Sequence, residues 1–425
     1  MSLPLWSAIL ASVVTAVIFG LILVIFGRNE KEITRRVTHL YPISDPQFLR
    51  AMGVLLGPAL LSGNRIETLL NGNEIFTEML KAIREAEKTI TFETYIYWSG
   101  VIGKEFVDTL SKKARQGVRI HVLLDWVGSE KMEESSIETM RDAGIEIEKY
   151  HAPTWRTWRR LNNRTHRKIL VVDGKTGFTG GVGIADEWLG NAEGPNNWRD
   201  THYRMEGPVV AQLQAAFTDN WTKVKGNVLH SPEYFPQLEE NGPHFAQVFK
   251  SSMEAGAESM HLMYLLSVAA AKKSIHLSMA YFVPDVLARE AMVAALERGV
   301  TIQIIVPGPY IDKALVRSAS RGTWGALLAA GAEIFEYQPT MFHCKVLIVD
   351  ELWVSVGSTN FDSRSFKLND EANLNVYNQQ FAERQLADFK SDLTRAKQIT
   401  FQEWRNRPWQ EKAWEHSLKI IRPQL

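Results

Sequence analysis

Apolar residues fall along this chain in three regimes. From Leu3 to Gly27, "LPLWSAILASVVTAVIFGLILVIFG", they run without a charged residue. Beyond residue 60 they alternate between helical periodicity and short apolar runs. Past residue 400 they thin out, with tryptophans spaced among charged and polar residues and a short apolar cluster at Leu418–Ile421. In the middle regime "AIREAEKTITFETYIYW" (82–98), "LSKKARQGVRIHVLLD" (110–125) and "MRDAGIEIEKYH" (140–151) each read as a helix followed by a strand. The second half repeats the plan with "AAAKKSIHLSMAYFVPD" (269–285), "VAALERGVTIQIIVPG" (293–308) and "LLAAGAEIFEYQP" (327–339). Gly117 and Gly299 stand where a helix has to stop. Helices alternating with near-continuous apolar strands predict an α/β fold with a mainly parallel sheet covered on both faces. The repeat predicts two tandem α/β lobes, 61–235 and 236–400, related by a pseudo-twofold.

A helix over the first run would rise roughly 37 Å, enough to cross a hydrocarbon core of about 30 Å. A cleaved signal peptide needs a basic stretch before a shorter apolar core, and no Lys or Arg precedes Leu3. Residues 1–27 therefore read as a retained transmembrane anchor. Arg28, Lys31, Arg35 and Arg36 follow it. The positive-inside rule then predicts a single-pass protein of the cytoplasmic (inner) membrane, with its body in the cytoplasm and Trp6 at the opposite interface. Residues 28–60 read as a membrane-proximal linker. Its "MGVLLGPALL" (52–61) is too short to span and is either interfacial or core. In the tail, 401–425, Trp404, Trp409 and Trp414 recur at five-residue steps, which suits an interfacial helix or packing on the body.

The 425 residues, 45% apolar and 23% charged, suit a globular protein of two or three domains. Formal net charge is zero, so no nucleic-acid partner is expected. The one cysteine, Cys344, rules out an intrachain disulfide.

Two stretches stand apart because their polar residues match. "THRKILVVD" (Thr165–Asp173) and "FHCKVLIVD" (Phe342–Asp350) both read His-x-Lys-x-x-x-x-Asp. Residues i and i+2 of a strand share a side, so His166 and Lys168 face one way, as do His343 and Lys345. The apolar runs that follow make each strand a rigid mount. One such pair at a strand edge is ordinary solvated surface. A duplicated core explains the repeated apolar runs, but not both polar pairs at matching offsets. A metal site fits poorly, because lysine repels a cation and only one histidine per half is placed. Brought together, two histidines and two lysines form a small cationic pocket suited to a phosphodiester. The lysines hold its oxygens. A neutral imidazole attacks phosphorus, and a protonated one serves the leaving oxygen. A phosphohistidine intermediate follows, with no metal or cofactor called for.

These motifs resemble the phospholipase D superfamily, and within it the bacterial cardiolipin synthases. The likeness extends in order over residues 60–400, through "NGNEIFTEMLKAIREAEKTITFETYIYWSG", "NWRDTHYRMEGPVVAQLQAAFTDNW", "MAYFVPD" and "VDELWVSVGSTNFDSRSFKLNDEAN". The resemblance implies His166 and His343 as the catalytic pair, with His166 the nucleophile and His343 the general acid; the reverse assignment is the alternative. It implies that Lys168 and Lys345 bind phosphoryl oxygens and that Asn360 hydrogen-bonds the phosphate. Asp200 and Glu371 would each hold the far ring nitrogen of the histidine in its own half. Asp173 and Asp350 complete the catalytic motifs, yet each ends a strand and reads as closing a turn rather than reacting. Gly183 stands where the second half has Asn360. The first half thus supplies one phosphate donor fewer, or a backbone amide in its place.

The activity so implied is phosphatidyl transfer between two phosphatidylglycerol molecules, giving cardiolipin and glycerol. The implied partners are anionic phospholipids (phosphatidylglycerol and cardiolipin) and the membrane bilayer. A hydrolase or nuclease of the same superfamily is the alternative, and an inactive lipid-binding scaffold is a second. In "PTWRTWRRLNNR" (153–164), Trp155 and Trp158 alternate with Arg156, Arg159 and Arg160. That pattern suits a headgroup layer, a plain exposed loop, or a nucleic-acid stacking surface.

Overall fold

The computed structural model describes residues 3–26, 33, 35–38, 41–152, 163–252 and 259–420. It comprises two units, Met1–Thr34 and Arg35–Leu425.

In the first unit, helix α1 (Leu3–Phe26) carries no acidic residue in its first turn and no basic residue in its last. Its described side chains are Trp6, Ser7, residues 10–18 and Gly20. Of these, Leu10, Val13, Val14, Val17 and Ile18 are exposed. Among the described residues no helix is long and apolar enough to cross a membrane. The transmembrane anchor expected over residues 1–27 is therefore not met by them.

The second unit is built on strands that recur in one order. The first seven are β1 (Leu61–Leu70), β2 (Thr89–Thr94), β3 (Arg119–Asp125), β4 (Glu146–Tyr150), β5 (Ile169–Val172), β6 (Thr176–Gly180) and β7 (Thr201–Glu206). There follow β8 (His244–Ser251), β9 (Ser274–Met279), β10 (Phe282–Val283), β11 (Thr301–Pro307), β12 (Glu333–Tyr337), β13 (Lys345–Val349), β14 (Trp353–Gly357), β15 (Phe361–Asp362), β16 (Glu371–Tyr377) and β17 (Ala396–Ile399). Fifteen of them make one sheet, in the order β17-β12-β11-β9-β13-β14-β16-β8-β1-β7-β6-β5-β2-β3-β4. β1 and β8 pair antiparallel at its centre. Outward from them the two halves run through equivalent strands, and β17 is an extra edge.

The sheet is mixed rather than mainly parallel. Only β2-β3-β4 and β9-β11-β12 pair in parallel. The cause lies in the motif strands. β5 and β6 are joined by the tight turn Asp173–Lys175, and β13 and β14 by Asp350–Leu352. A link that short closes a hairpin, whereas a parallel connection needs a dozen residues or more.

Helices Val209–Lys225 and Gln379–Leu393 carry Phe217, Trp221, Phe381 and Phe389 into a core shared by both halves, with Val171, Met205, Ile348, Val356 and Leu374. A fully buried side chain of this size contributes about 1.5–3 kcal/mol, so the two halves are welded through this common core. Helix Val101–Arg115 ends before Gly117 (φ +95°) and helix Val286–Glu297 before Gly299 (φ +87°), where the chain turns through left-handed backbone.

The stretch 52–61 forms a π-helical turn, Met52–Leu56, with Met52 buried and Val54 and Leu55 exposed. The tail docks on the body. Trp404 Nε1 donates to the Arg321 carbonyl at 2.7 Å, and Leu418 is buried with Val283, Val316 and Ala319. Trp409 and Trp414 remain exposed.

Candidate active site

His166 and His343 lie just before β5 and β13, the two strands whose apolar residues fill the core. The chain ahead of each histidine is stitched to the opposite half. Thr165 forms a parallel bridge with Asp370, and Phe342 with Arg199. The His166 N–H donates to the Asp370 carbonyl and the His343 N–H to the Arg199 carbonyl, both at 2.8 Å. Each accepting residue immediately precedes one of the expected carboxylates.

The backbone stitching exchanges the carboxylates between halves, contrary to the expected pairing within each half. His166 Nδ1 lies 3.1 and 3.0 Å from the two carboxylate oxygens of Glu371. His343 Nδ1 lies 2.7 Å from Asp200 Oδ2. Each bond places the ring proton on Nδ1 and leaves Nε2 as the nitrogen available for chemistry.

The two carboxylates differ in their support. Asp200 accepts from Trp188 Nε1 at 2.9 Å and from the Thr201 N–H at 2.8 Å. Glu371 accepts from the Ser358 hydroxyl at 2.5 Å and from Asn369 Nδ2 at 3.3 Å. Burial pushes the Glu371 carboxyl up to about 7, although Lys168 and Ser358 oppose it. Burial also works against the Asp200 carboxylate, but His343 and Lys345 outweigh it and hold that group below its ordinary value.

The lysines complete a dense set of charges. Lys168 Nζ donates to the His166 carbonyl at 2.8 Å and Lys345 Nζ to the His343 carbonyl at 2.7 Å. Lys345 Nζ also sits 3.0 and 3.1 Å from the two ring nitrogens of His343. Burial and the charge of Lys345 pull Lys168 down to about 7, and burial pulls Lys345 down to about 8. His343 is drawn down to about 4 by burial and Lys345. His166 is lowered well below the usual imidazole value by burial, then by Lys168, Lys345 and His343. Across the halves, the charges of Lys345 and His343 bear on His166, and that of Lys345 on Lys168.

Asp173 and Asp350 stand apart from that site, at the far ends of their strands. The Asp173 carboxylate accepts from the N–H groups of Glu87, Lys88 and Thr89 at 2.7–2.9 Å. Asp350 does the same for Lys272, Lys273 and Ser274 at 2.7–3.0 Å. Both aspartates take left-handed backbone, φ +53°. Asn360 is buried after β14, and among the described residues its Oδ1 has no hydrogen-bond partner.

Sequence reasoning missed the aromatic walls. Tyr95 meets the His166 ring edge-on at 5.2 Å, and Trp188 and Trp198 meet His343 at 5.3 and 5.4 Å. It also missed Ser358, whose equivalent in the first half is Gly181. A Cβ on Gly181 would stand 2.1 Å from Asp200 Oδ1. The signal was present in the paired turns "GGVG" and "GSTN" that follow the two motifs. The Trp/Arg segment 153–162 lies outside the described residues. Among the described residues no cluster of His, Cys, Asp and Glu has the arrangement of a metal site.

The family model for the cardiolipin synthase, PLD-like domain matches residues 79–221 and 265–393. The chain belongs to this family. A cardiolipin synthase of Halalkalibacterium halodurans is 34% identical over 84% of this chain and 72% of that protein. The major cardiolipin synthase of Bacillus subtilis is 32% identical over 85% of this chain and 76% of its own length. Among solved structures, a phosphatidylserine synthase of Haemophilus influenzae Rd KW20 superposes with a TM-score of 0.68 at 15% identity, covering 88% of this chain and 99% of that one. That likeness concerns the fold.

Proposed function

We propose that this chain is a phosphatidyltransferase that joins two phosphatidylglycerol molecules into cardiolipin and releases glycerol. It belongs to a family whose curated relatives are cardiolipin synthases. The observation that carries the mechanism is the exchanged pairing, in which each imidazole is oriented by a carboxylate from the other half. Two lobes arranged in this way act as one site.

His166 is the nucleophile. Its neutral form is favoured, and Glu371 on Nδ1 directs the Nε2 lone pair outward. Attack forms a P–N bond and breaks the P–O bond to the departing glycerol. His343 supplies the proton to that oxygen. Asp200, held ionised at 2.7 Å, stabilises its imidazolium. Burial and the charge of Lys345 oppose that protonation. A phosphodiester anion draws the lysine to its own oxygens and restores the charge of His343. In the second step His343 takes the proton of the acceptor hydroxyl, whose oxygen attacks phosphorus. The P–N bond breaks and its electron pair returns to His166. The buried Asn360 side chain is a further group for the phosphate, through its Nδ2 donor. Asp173 and Asp350 serve the fold of the motif strands.

The intermediate has two fates: water gives phosphatidic acid, and a second lipid gives cardiolipin. Purified protein incubated in phosphatidylglycerol vesicles is expected to yield cardiolipin and glycerol. Phosphatidic acid alone would overturn the transferase reading in favour of hydrolysis. We also assign α1 as a single-pass anchor in the cytoplasmic membrane, with the body on the cytoplasmic side. Its uncharged sequence, its exposed apolar side chains and the basic residues after it support that assignment.

A further inference from the structure

Beside the His343 half of the site lies a carboxylate that the mechanism above does not use. Tyr281 lies between β9 and β10. The N–H of its neighbour Ala280 donates at 2.9 Å to the carbonyl of Cys344, the residue between His343 and Lys345. The Tyr281 carbonyl accepts at 3.0 Å from the N–H of Phe361, the neighbour of Asn360. Tyr281 is thus fixed by backbone bonds to both phosphate-binding segments of the second half. Its phenol donates to Asp312 Oδ2 at 2.6 Å.

Asp312 sits in the exposed loop after β11, and among the described residues this phenol is its one hydrogen-bond partner. Its charge reaches His343 and Lys345. The next residue, Lys313, lies 5.6 Å from the Tyr281 ring centroid, and its charge reaches His166. The first half has no such pair: Ile96 takes the place of Tyr281, its carbonyl accepting from the Ile184 N–H as that of Tyr281 accepts from Phe361.

A carboxylate at the rim of a phosphate site repels the phosphate, so its use lies with another part of the substrate. One oxygen is occupied by the phenol, which leaves the other to accept hydrogen bonds. Two ligands suit it, a hydroxyl and an ammonium. Lys313 beside it, with Lys345 within reach of its charge, makes the surroundings cationic and disfavours the ammonium. We propose that Asp312, positioned by Tyr281, recognises the vicinal hydroxyl of the glycerol headgroup and so selects a polyol acceptor over a simple alcohol or water.

The inference rests on the transferase reading and deepens it. The departing glycerol and the attacking glycerol occupy the same place in forward and reverse steps. One acceptor of hydrogen bonds therefore serves both. The bond made by Asp312 goes to the hydroxyl next to the reacting one. The reacting hydroxyl still gives its proton to His343 as its oxygen bonds to phosphorus and the P–N bond breaks.

The test is acceptor competition. The full-length protein is given phosphatidylglycerol vesicles with equal concentrations of free glycerol and 1-propanol, using isotope-labelled glycerol to distinguish it from the donor's own. The ratio of phosphatidylglycerol formed from labelled glycerol to phosphatidylpropanol is then measured. The unsubstituted protein is expected to favour glycerol, and Asp312→Asn to lower that ratio about tenfold, the scale of one hydrogen bond to a charged acceptor. Tyr281→Phe, which keeps the ring, is expected to lower it by less. A ratio unchanged in both variants would overturn the assignment while leaving the transferase reading intact. Failure of the unsubstituted protein to transfer to either alcohol or to lipid would overturn the transferase reading, and this one with it.

Discussion

His166 and Glu371 belong to opposite halves of the chain, yet their side chains meet at 3.0 Å. The same exchange joins His343 to Asp200. Neither half therefore owns a complete acid–base group. Glu371→Gln is expected to lower cardiolipin formation roughly a thousandfold, because an amide does not stabilise a charged ring or hold its tautomer as a carboxylate does. The ring nitrogen shifts of His166, read by ¹⁵N NMR, should move in that variant more than those of His343. Asp200→Asn should show the reverse. Both substitutions acting on the histidine of their own half would contradict the exchange.

The motif aspartates call for a different response. Asp173 and Asp350 each tie three successive backbone N–H groups at the start of a strand, β2 or β9. Asp350→Ala leaves those donors unsatisfied and places alanine at positive φ, at a cost of roughly 2–3 kcal/mol. A lower thermal unfolding midpoint is expected, with kcat per folded molecule held within a few-fold. Asp350→Asn should lose less, since asparagine tolerates this backbone and keeps one acceptor. A collapse of kcat without loss of stability would place the aspartate in the chemistry instead.

The two carboxylates titrate differently, and the Ser358 hydroxyl narrows the difference. Burial sets Glu371 near 7, and donation from the Ser358 hydroxyl favours its ionised form. If the ionised carboxylate orients His166, kcat/KM rises as pH climbs through about 7. Ser358→Ala removes a bond to the charged form, so the acidic limb should move to higher pH. The profile of vesicle-based turnover between pH 5 and 9 measures this. A limb that stays in place in Ser358→Ala would show that another group controls it.

Much of this was legible in the sequence, and the reasons are local. The helix stops at Gly117 and Gly299, the apolar strands and the paired His-x-Lys motifs depend on near neighbours, and the fold carries all of them. The direction of the sheet was misread because hairpins and crossovers share the same apolar runs. The short turns at Asp173 and Asp350 decide it. The exchange of Asp200 and Glu371 was hidden for a different reason. It depends on the bridges Thr165–Asp370 and Arg199–Phe342, long-range contacts that leave no spacing to read.

Folded-state stability should also depend on the His343 ring. Its pKa is lowered to about 4 by burial and Lys345, against about 6.5 when unfolded. A depressed histidine contributes stability that is present above pH 6.5 and lost as pH falls toward 4. Between pH 7 and 5 the loss is roughly 2 kcal/mol. His166 shifts in the same direction, and Asp200 titrates below this window. Urea unfolding of His343→Gln is expected to show a smaller decline from pH 7 to 5 than the unsubstituted protein. Parallel declines would indicate that the ring is not buried as neutral imidazole.

The anchor assigned to α1 is tested at its centre. Val14 and Val17 are exposed on an uncharged helix, so a bilayer around them would meet any charge placed there. Arginine at a helix centre costs about 2.5–3.5 kcal/mol on insertion scales. The pair Val14→Arg and Val17→Arg should therefore oppose insertion by roughly 5–7 kcal/mol. Alkaline carbonate washing of cell membranes is expected to release this variant and to retain Val14→Leu with Val17→Leu. The second unit, Arg35–Leu425, holds the whole of the histidine site, so the released protein should still process short-chain phosphatidylglycerol in detergent. Retention of the arginine variant in washed membranes would remove α1 as the anchor and direct attention to the exposed Val54, Leu55, Trp409 and Trp414.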